Sequence, residues 1–253
     1  MAQENRYYRL TAAGREAWES QDAAVPADYR RILWLMDFHG HAGVTRDLLR
    51  HYPLEMLQQW LAEIEELGLI ETVAEEEARA AARTADKTLV VNQAHFRRHA
   101  QSAGEALART GAYLAADRLA ARHPLAKPRA ETVVLVVEDD PDQQALADLR
   151  VTMAGYKVRV AGSVQAFLQT MLDDGAPDLL LLDVALPDGD GFEVLERLRR
   201  HATLRELPVI LLTAHNEPGD IGRGLIAGAD GYVIKPYTKQ ILADTIGAIL
   251  KQK

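Results

Sequence analysis

Five side chains far apart in the chain, Glu138, Asp139, Asp183, Thr213 and Lys235, are of types that become useful only when brought together. Carboxylates gathered in one place repel one another and are tolerable when a cation lies between them. A hard divalent ion that keeps several waters, as magnesium does, suits a set of this kind. A carboxylate is also a nucleophile, a hydroxyl offers a directional hydrogen bond, and an ammonium offsets negative charge on a reacting group. Taken singly, Asp183, Thr213 and Lys235 read as a helix-capping acid, a strand-end threonine and a surface lysine. What makes them more than that is the pattern of elements that would carry them.

The run Asp178-Leu179-Leu180-Leu181-Leu182-Asp183 is too short and too apolar for an independent helix, and Pro177 and Pro187/Gly189 punctuate it. It reads as a strand covered on both faces, with Asp183 at its carboxyl end. Similar strands are expected at 132–137, 157–161, 208–212 and 231–234, alternating with helices at about 142–154, 163–173, 191–200, 218–227 and 238–250. Five βα units in so short a span require crossover connections, which predicts one parallel sheet with helices on both faces. Parallel strands align their carboxyl ends. Glu138, Asp139 and Asp140 follow the first strand, Asp183 ends the third, Thr213 follows the fourth and Lys235-Pro236 the fifth, so all converge on one rim. Asp140 stands directly before Pro141 and is read as a helix cap.

These residues and intervals resemble the receiver domain of the two-component response regulators, a CheY-like, flavodoxin-like (βα)5 fold, and the resemblance covers about half the chain. It implies Asp183 as phosphoacceptor, with Thr213 and Lys235 as its catalytic partners. It implies Mg2+ held by Glu138, Asp139, Asp183 and the backbone carbonyl of Ala185. Pro187 and Gly191 match the loop after the phosphoacceptor. Tyr232 stands where receivers carry an aromatic switch, so Thr213 and Tyr232 are the expected switch pair; the alternative for Tyr232 is an ordinary edge-strand tyrosine. The phosphoryl donor would be a histidine kinase or a phosphotransfer protein. Such a chain is not an enzyme toward external substrates; it catalyses its own phosphorylation and slow dephosphorylation.

The first half is organised differently. Arg6 to Leu10 is a short strand, a helix begins after Thr11, Asp28 is placed to cap a second helix with Ile32, Leu33, Leu35 and Met36 buried, and Val44 to His51 forms a short further helix. Pro53 starts the next, in which Leu54, Leu57, Leu61, Ile64 and Leu67 recur at helical spacing; Gly68 ends it and 69–73 is a strand. Leu10-Thr11-Ala12-Ala13-Gly14-Arg15 and the ending Leu67-Gly68-Leu69-Ile70 make this region similar to winged helix-turn-helix domains, which implies a mainly α module at 1–91 with a basic wing carrying Arg79, Arg83 and Lys87. DNA is the implied partner. Against it, the stretch from Pro53 to Glu77 has no Lys or Arg and eight glutamates, and phosphates are neutralised by cations. The other output is a phosphorylation-controlled interaction or dimerisation adaptor.

Residues 92–130 are Ala-rich and read as a helical linker, pairing with its copy in a homodimer or packing on its own domain, and closed by the Pro124/Pro128 segment. The receiver occupies 131–253. His39/His41 and His95/His99 lack a third ligand in view and read as solvated. Of the net charge of −8, nearly all falls in the second half, which carries 12 Lys/Arg against 19 Asp/Glu; that half suits a divalent cation better than a nucleic acid. No apolar run approaches the roughly 20 residues that span a bilayer, no signal-peptide core is seen, and there is no cysteine. A cytoplasmic protein with no membrane partner is the expectation.

Overall fold

Short apolar strands alternating with helices after residue 131 do form one layered sheet, and it has one strand more than the alternation requires. The structure, a computed structural model, describes residues 6–19, 25–38, 42, 45–46, 49, 52–77, 103–201, 203–214 and 218–252. It divides into two compact units, Met1–Val91 with His201–Thr203, and the remainder from Asn92.

In the first unit, β1 (Tyr7–Leu10) and β2 (Ile70–Val73) pair antiparallel, Leu10 opposite Ile70, around helices α1 (Ala12–Glu19), α2 (Ala27–Phe38) and α3 (Leu54–Glu66). The unit is mainly helical. The Leu-Thr-x-x-Gly phrase has a physical basis here. The Thr11 hydroxyl accepts from the Gly14 amide and donates to the Gly68 carbonyl, which caps α1 and ties it to the end of α3. A Cβ on Gly14 would lie 1.9 Å from the Leu69 carbonyl oxygen, so only glycine lets α1 approach that closely. Gly68, at φ 68°, ends α3, and the Leu69 amide reaches back to the Ile64 carbonyl.

Ile32, Leu33, Leu35 and Met36 are buried as expected. In α3 only Leu57 and Ile64 are buried, whereas Leu54 and Leu67 are exposed, so the expected stripe is narrower at both ends. Asp28 does not cap α2. It lies inside the first turn and accepts from the Tyr52 hydroxyl. Residues 78–91, with the expected wing, and His39, His41, His95 and His99 lie outside the described residues.

The second unit opens with a helical turn segment at 103–110, the short strand β3 (Ala112–Leu114) and α4 (Ala116–Ala121). Five parallel strands follow: β4 (Val133–Val137), β5 (Lys157–Ala161), β6 (Leu179–Asp183), β9 (Val209–Thr213) and β10 (Gly231–Ile234), with the two-residue strands β7 (Ala185–Leu186) and β8 (Gly189–Asp190) in the loop after β6. Between them run α5 (Pro141–Met153), α6 (Val164–Asp174), α7 (Gly191–Arg200), α8 (Pro218–Ala227) and α9 (Lys239–Leu250), the fold class expected. The sheet order is β3-β10-β9-β6-β4-β5. Every residue of β6 and β9 is buried. Each leucine of 179–182 removed from water on both faces contributes about 2 kcal/mol, which explains four in a row where an alternating pattern would serve a one-sided sheet.

The sixth strand, β3, comes from the segment expected to be a helical linker and pairs antiparallel with β10, Tyr113 opposite Tyr232. The described part of that segment is thus helix, strand, helix, and it clusters with the second unit. Consequently β10 is an interior strand, and the edge-strand alternative for Tyr232 does not hold.

Candidate phosphoacceptor and metal site

The rim at the carboxyl ends of β4, β6, β9 and β10 gathers the expected residues. Carboxylate oxygens of Glu138, Asp139 and Asp183 lie within 4.8 Å of one another. Glu138 and Asp183 are buried and Asp139 is exposed, so the cluster has one open side. The Lys235 ammonium lies 2.6 Å from Glu138 Oε2 and 2.7 Å from Asp183 Oδ2. One ammonium among three carboxylates leaves two negative charges, the charge that a single divalent cation balances. Mostly buried oxygen donors with an open side fit a hard ion that keeps its waters.

Strand order supplies this convergence. β4 and β6 are neighbours, with Val137 opposite Leu182, which sets Glu138 beside Asp183. Ile234 is opposite Thr213 across β10 and β9, and the Lys235 amide donates to the Thr213 carbonyl at 2.8 Å. Thr213 is buried at the end of β9. The Lys235–Pro236 peptide is cis. Ala185 is exposed, and its amide lies 3.4 Å from Asp183 Oδ1, so its backbone is next to the Asp183 carboxylate. Asp140 caps α5, accepting from the Asp142 and Gln143 amides at 2.9 and 3.0 Å, and therefore stands apart from the acidic cluster.

Burial pushes the Glu138 carboxyl above the ordinary glutamate value; its hydrogen bond to Lys235 pulls the other way, and Asp183 nearby adds to the rise. For Lys235, burial lowers the ammonium, but the hydrogen bonds to Asp183 and Glu138 outweigh it and hold the group above the ordinary lysine value.

The loop after Asp183 is braced by residues whose types alone do not announce it. Strands β7 and β8 form a two-residue hairpin. The Asp188 carboxylate accepts from the Val164 and Gln165 amides, capping α6 together with Ser163. Asp190 caps α7 through the Phe192 amide and takes the Arg223 guanidinium at 2.7 Å, linking the loop to α8. A Cβ on Gly191 would lie 2.2 Å from the Asp183 carbonyl oxygen. The repeated Asp-Gly of 188–191 is the only signal in the sequence for this bracing.

Tyr232 is buried, and its hydroxyl donates to the Ile221 carbonyl at 3.0 Å. A Cβ on Gly224 would lie 1.8 Å from that hydroxyl, so Gly224 is what admits the ring under α8. Burial raises the Tyr232 phenol far above its ordinary value.

A buried carboxylate beside an ammonium and two further acids, at the carboxyl ends of parallel strands, lies where doubly wound sheets carry their ligand sites. Residues 134–247 match the response regulator receiver domain family, and the C-terminal half of the chain is a receiver domain. Over 119 residues it is 42% identical to the transcriptional regulatory protein AfsQ1 of Streptomyces coelicolor, covering 47% of this chain and 51% of that protein. Over 121 residues it is 36% identical to the DNA-binding dual master transcriptional regulator RpaA of Synechocystis, covering 47% and 49%. The phosphate regulon transcriptional regulatory protein PhoB of Escherichia coli is 34% identical over 119 residues, covering 47% and 52%. The chain thus spans about half the length of the curated relatives it matches. Among solved structures it is similar to the response regulator DrrB of Thermotoga maritima, an OmpR/PhoB homologue, at 30% identity and TM-score 0.44, covering 48% of this chain and 53% of that one. It is also similar to the chemotaxis protein CheY4 of Vibrio cholerae, at 26% identity and TM-score 0.45, covering 47% and 99%.

Proposed function

We propose that this chain is a response regulator of a two-component phosphorelay that takes a phosphoryl group on Asp183 and uses it to control the N-terminal module, with transcription as the output. The observation that carries the reading is the Lys235 ammonium bridging Glu138 and Asp183 beside a third carboxylate. An Asp183 carboxylate oxygen attacks phosphorus, the phosphorus–nitrogen bond of a donor phosphohistidine breaks, and the imidazole of a histidine kinase or phosphotransfer protein leaves. Lys235 offsets charge on the phosphoryl oxygens and the Thr213 hydroxyl gives a directed hydrogen bond. Bound Mg2+, held by Glu138, Asp139, Asp183 and the Ala185 carbonyl, would supply further charge stabilisation. The chain modifies only itself, with slow hydrolysis of the acyl phosphate returning Asp183. Incubation with a radiolabelled small phosphodonor in magnesium buffer should label the wild type and leave Asp183→Asn unlabelled; label retained by that variant refutes the assignment.

Transcription as the output draws on the relatives, a transcriptional regulatory protein and a DNA-binding transcriptional regulator, and on the winged-helix resemblance of the first unit. One observation favours a second reading, a phosphorylation-controlled protein-interaction adaptor. Helix α3 carries Glu55, Glu63, Glu65 and Glu66 and no basic residue, a poor surface for a duplex. Binding of the full chain to duplex DNA decides between them: binding that weakens steeply with salt supports transcription control, and none at low salt supports the adaptor. Among the described residues no helix is long and apolar enough to cross a membrane; with the absence of cysteine, this supports placing the protein in the cytoplasm.

A further inference from the structure

The segment before the receiver is fastened to the strand that leads into the catalytic lysine. Strand β3 closes the β10 edge along residues 112–114 and 231–233. At one end the Ile234 amide donates to the Gly111 carbonyl at 3.0 Å, and at the other the Ala115 amide donates to the Asp230 carbonyl at 2.9 Å. Asp230, almost wholly buried, is the bolt. Its Oδ1 accepts from Arg118 Nε at 2.9 Å and Arg122 Nε at 2.7 Å, both from this segment, and its Oδ2 accepts from Arg199 and the Val209 amide, both at 2.9 Å. Further along, the Leu125 amide donates to the Leu250 carbonyl and Lys251 Nζ to the Arg122 carbonyl. Ala103 and Leu107 of the preceding helix are fully buried, and Gly104 lies against Ile221 of α8, whose carbonyl holds Tyr232.

Lys235 and its neighbour therefore join the site to this segment through two consecutive amides, Lys235 to Thr213 and Ile234 to Gly111. We infer that residues 111–122 are a regulatory strap, docked on β10 while Asp183 carries no phosphoryl group and loosened when it does. The inference rests on the phosphoacceptor reading above. Lys235 is shared between Glu138 and Asp183; a phosphoryl group on Asp183 adds oxygens that draw the ammonium toward them, and the backbone at 234–235 follows, disturbing the bond to Gly111. The strap is continuous in sequence with the N-terminal half, so the signal has a covalent outlet that needs no second molecule.

Coupling of this kind is reciprocal: if the phosphoryl group loosens the strap, a strap already loosened must favour the phosphoryl-bound form by the same factor. Hydrogen exchange on the full chain in magnesium buffer, with and without beryllium fluoride as phosphoryl mimic, should show faster exchange at 111–115 alongside the change at 183–190. A response at 183–190 with exchange at 111–115 unchanged or slowed overturns the strap alone. No response at 183–190, together with no labelling of the wild type by a phosphodonor, overturns the phosphoacceptor reading and the strap with it. In the second arm, Arg118→Ala/Arg122→Ala leaves Asp230 its bonds to Arg199 and Val209 and should bind beryllium fluoride about fivefold more tightly than wild type; equal affinity overturns the inference. Should the double variant not fold, Arg118→Ala alone is read in the same way.

Discussion

At the residue scale the site is a balance of charges that no single member sustains. Glu138 is buried with one ammonium as its direct partner. Removing that ammonium in Lys235→Ala leaves two close, largely desolvated carboxylates, and should destabilise the receiver by about 3 kcal/mol in urea unfolding without divalent cation; added Mg2+ should recover part of the loss. The pH dependence follows from the two raised groups. Each binds its proton more tightly in the folded state, so its contribution to stability is full below the unfolded value and fades as pH rises through the folded one. For Glu138 the same proton competes with a cation at pH values above the ordinary carboxylate range. Calorimetric Mg2+ affinity should therefore already weaken as pH is lowered while still above the ordinary carboxylate range, and Glu138→Gln should weaken binding and flatten that dependence.

At the element scale, α8 and β10 fit together around a missing side chain. Gly224→Ala sets a methyl 1.8 Å from the Tyr232 hydroxyl and 2.8 Å from Leu211 and Phe192 carbons. Overpacking of this kind costs about 1–3 kcal/mol, measurable as a lower urea midpoint. Tyr232→Phe loses a hydroxyl bonded to the Ile221 carbonyl, about 1 kcal/mol, and also removes the nearest atom to the new methyl. The double variant should therefore be less destabilised than the sum of the singles, and strict additivity would show that the two residues do not share the gap. Arg223, which ties the loop after Asp183 to the same helix, pairs with Asp190 at a partly exposed position. Its Ala variant should change stability by less than about 1 kcal/mol, so any larger effect on labelling would mark it as positioning the loop.

At the scale of the whole molecule, labelling and output are separable. Tyr232→Ala keeps Asp183, Thr213, Lys235 and all three acids, and should still be labelled by a phosphodonor, while losing the phosphorylation-dependent change in DNA binding or in partner binding. Loss of labelling in Tyr232→Ala would place the ring in the reaction centre instead. The six-stranded sheet sharpens the expectation: Tyr232 lies between α8 and a strand that is itself paired to β3, so its loss should also speed hydrogen exchange in 111–115.

The amino-acid sequence alone determined which side chains meet on the rim. Parallel strands joined by helices can align their ends in only one sense, so Glu138, Asp139, Asp183 and Lys235 had to meet, with Thr213 at the end of the neighbouring strand, once the alternation was recognised. Local signals sufficed for Asp140 before Pro141 and for Gly68 after α3, because a cap or a helix stop is a matter of a few adjacent residues. Only the tertiary structure decided the fate of 111–122. Ala112-Tyr113-Leu114 lies in an Ala-rich stretch read as helix, and it is a strand because Gly111, at φ 75°, turns the chain onto the open edge of β10 and Asp230 holds two arginines beyond it. That edge, and the buried carboxylate bolting the segment down, come from about a hundred residues further along the chain. Hydrogen bonds formed across such a separation leave no period or spacing for local pattern to register.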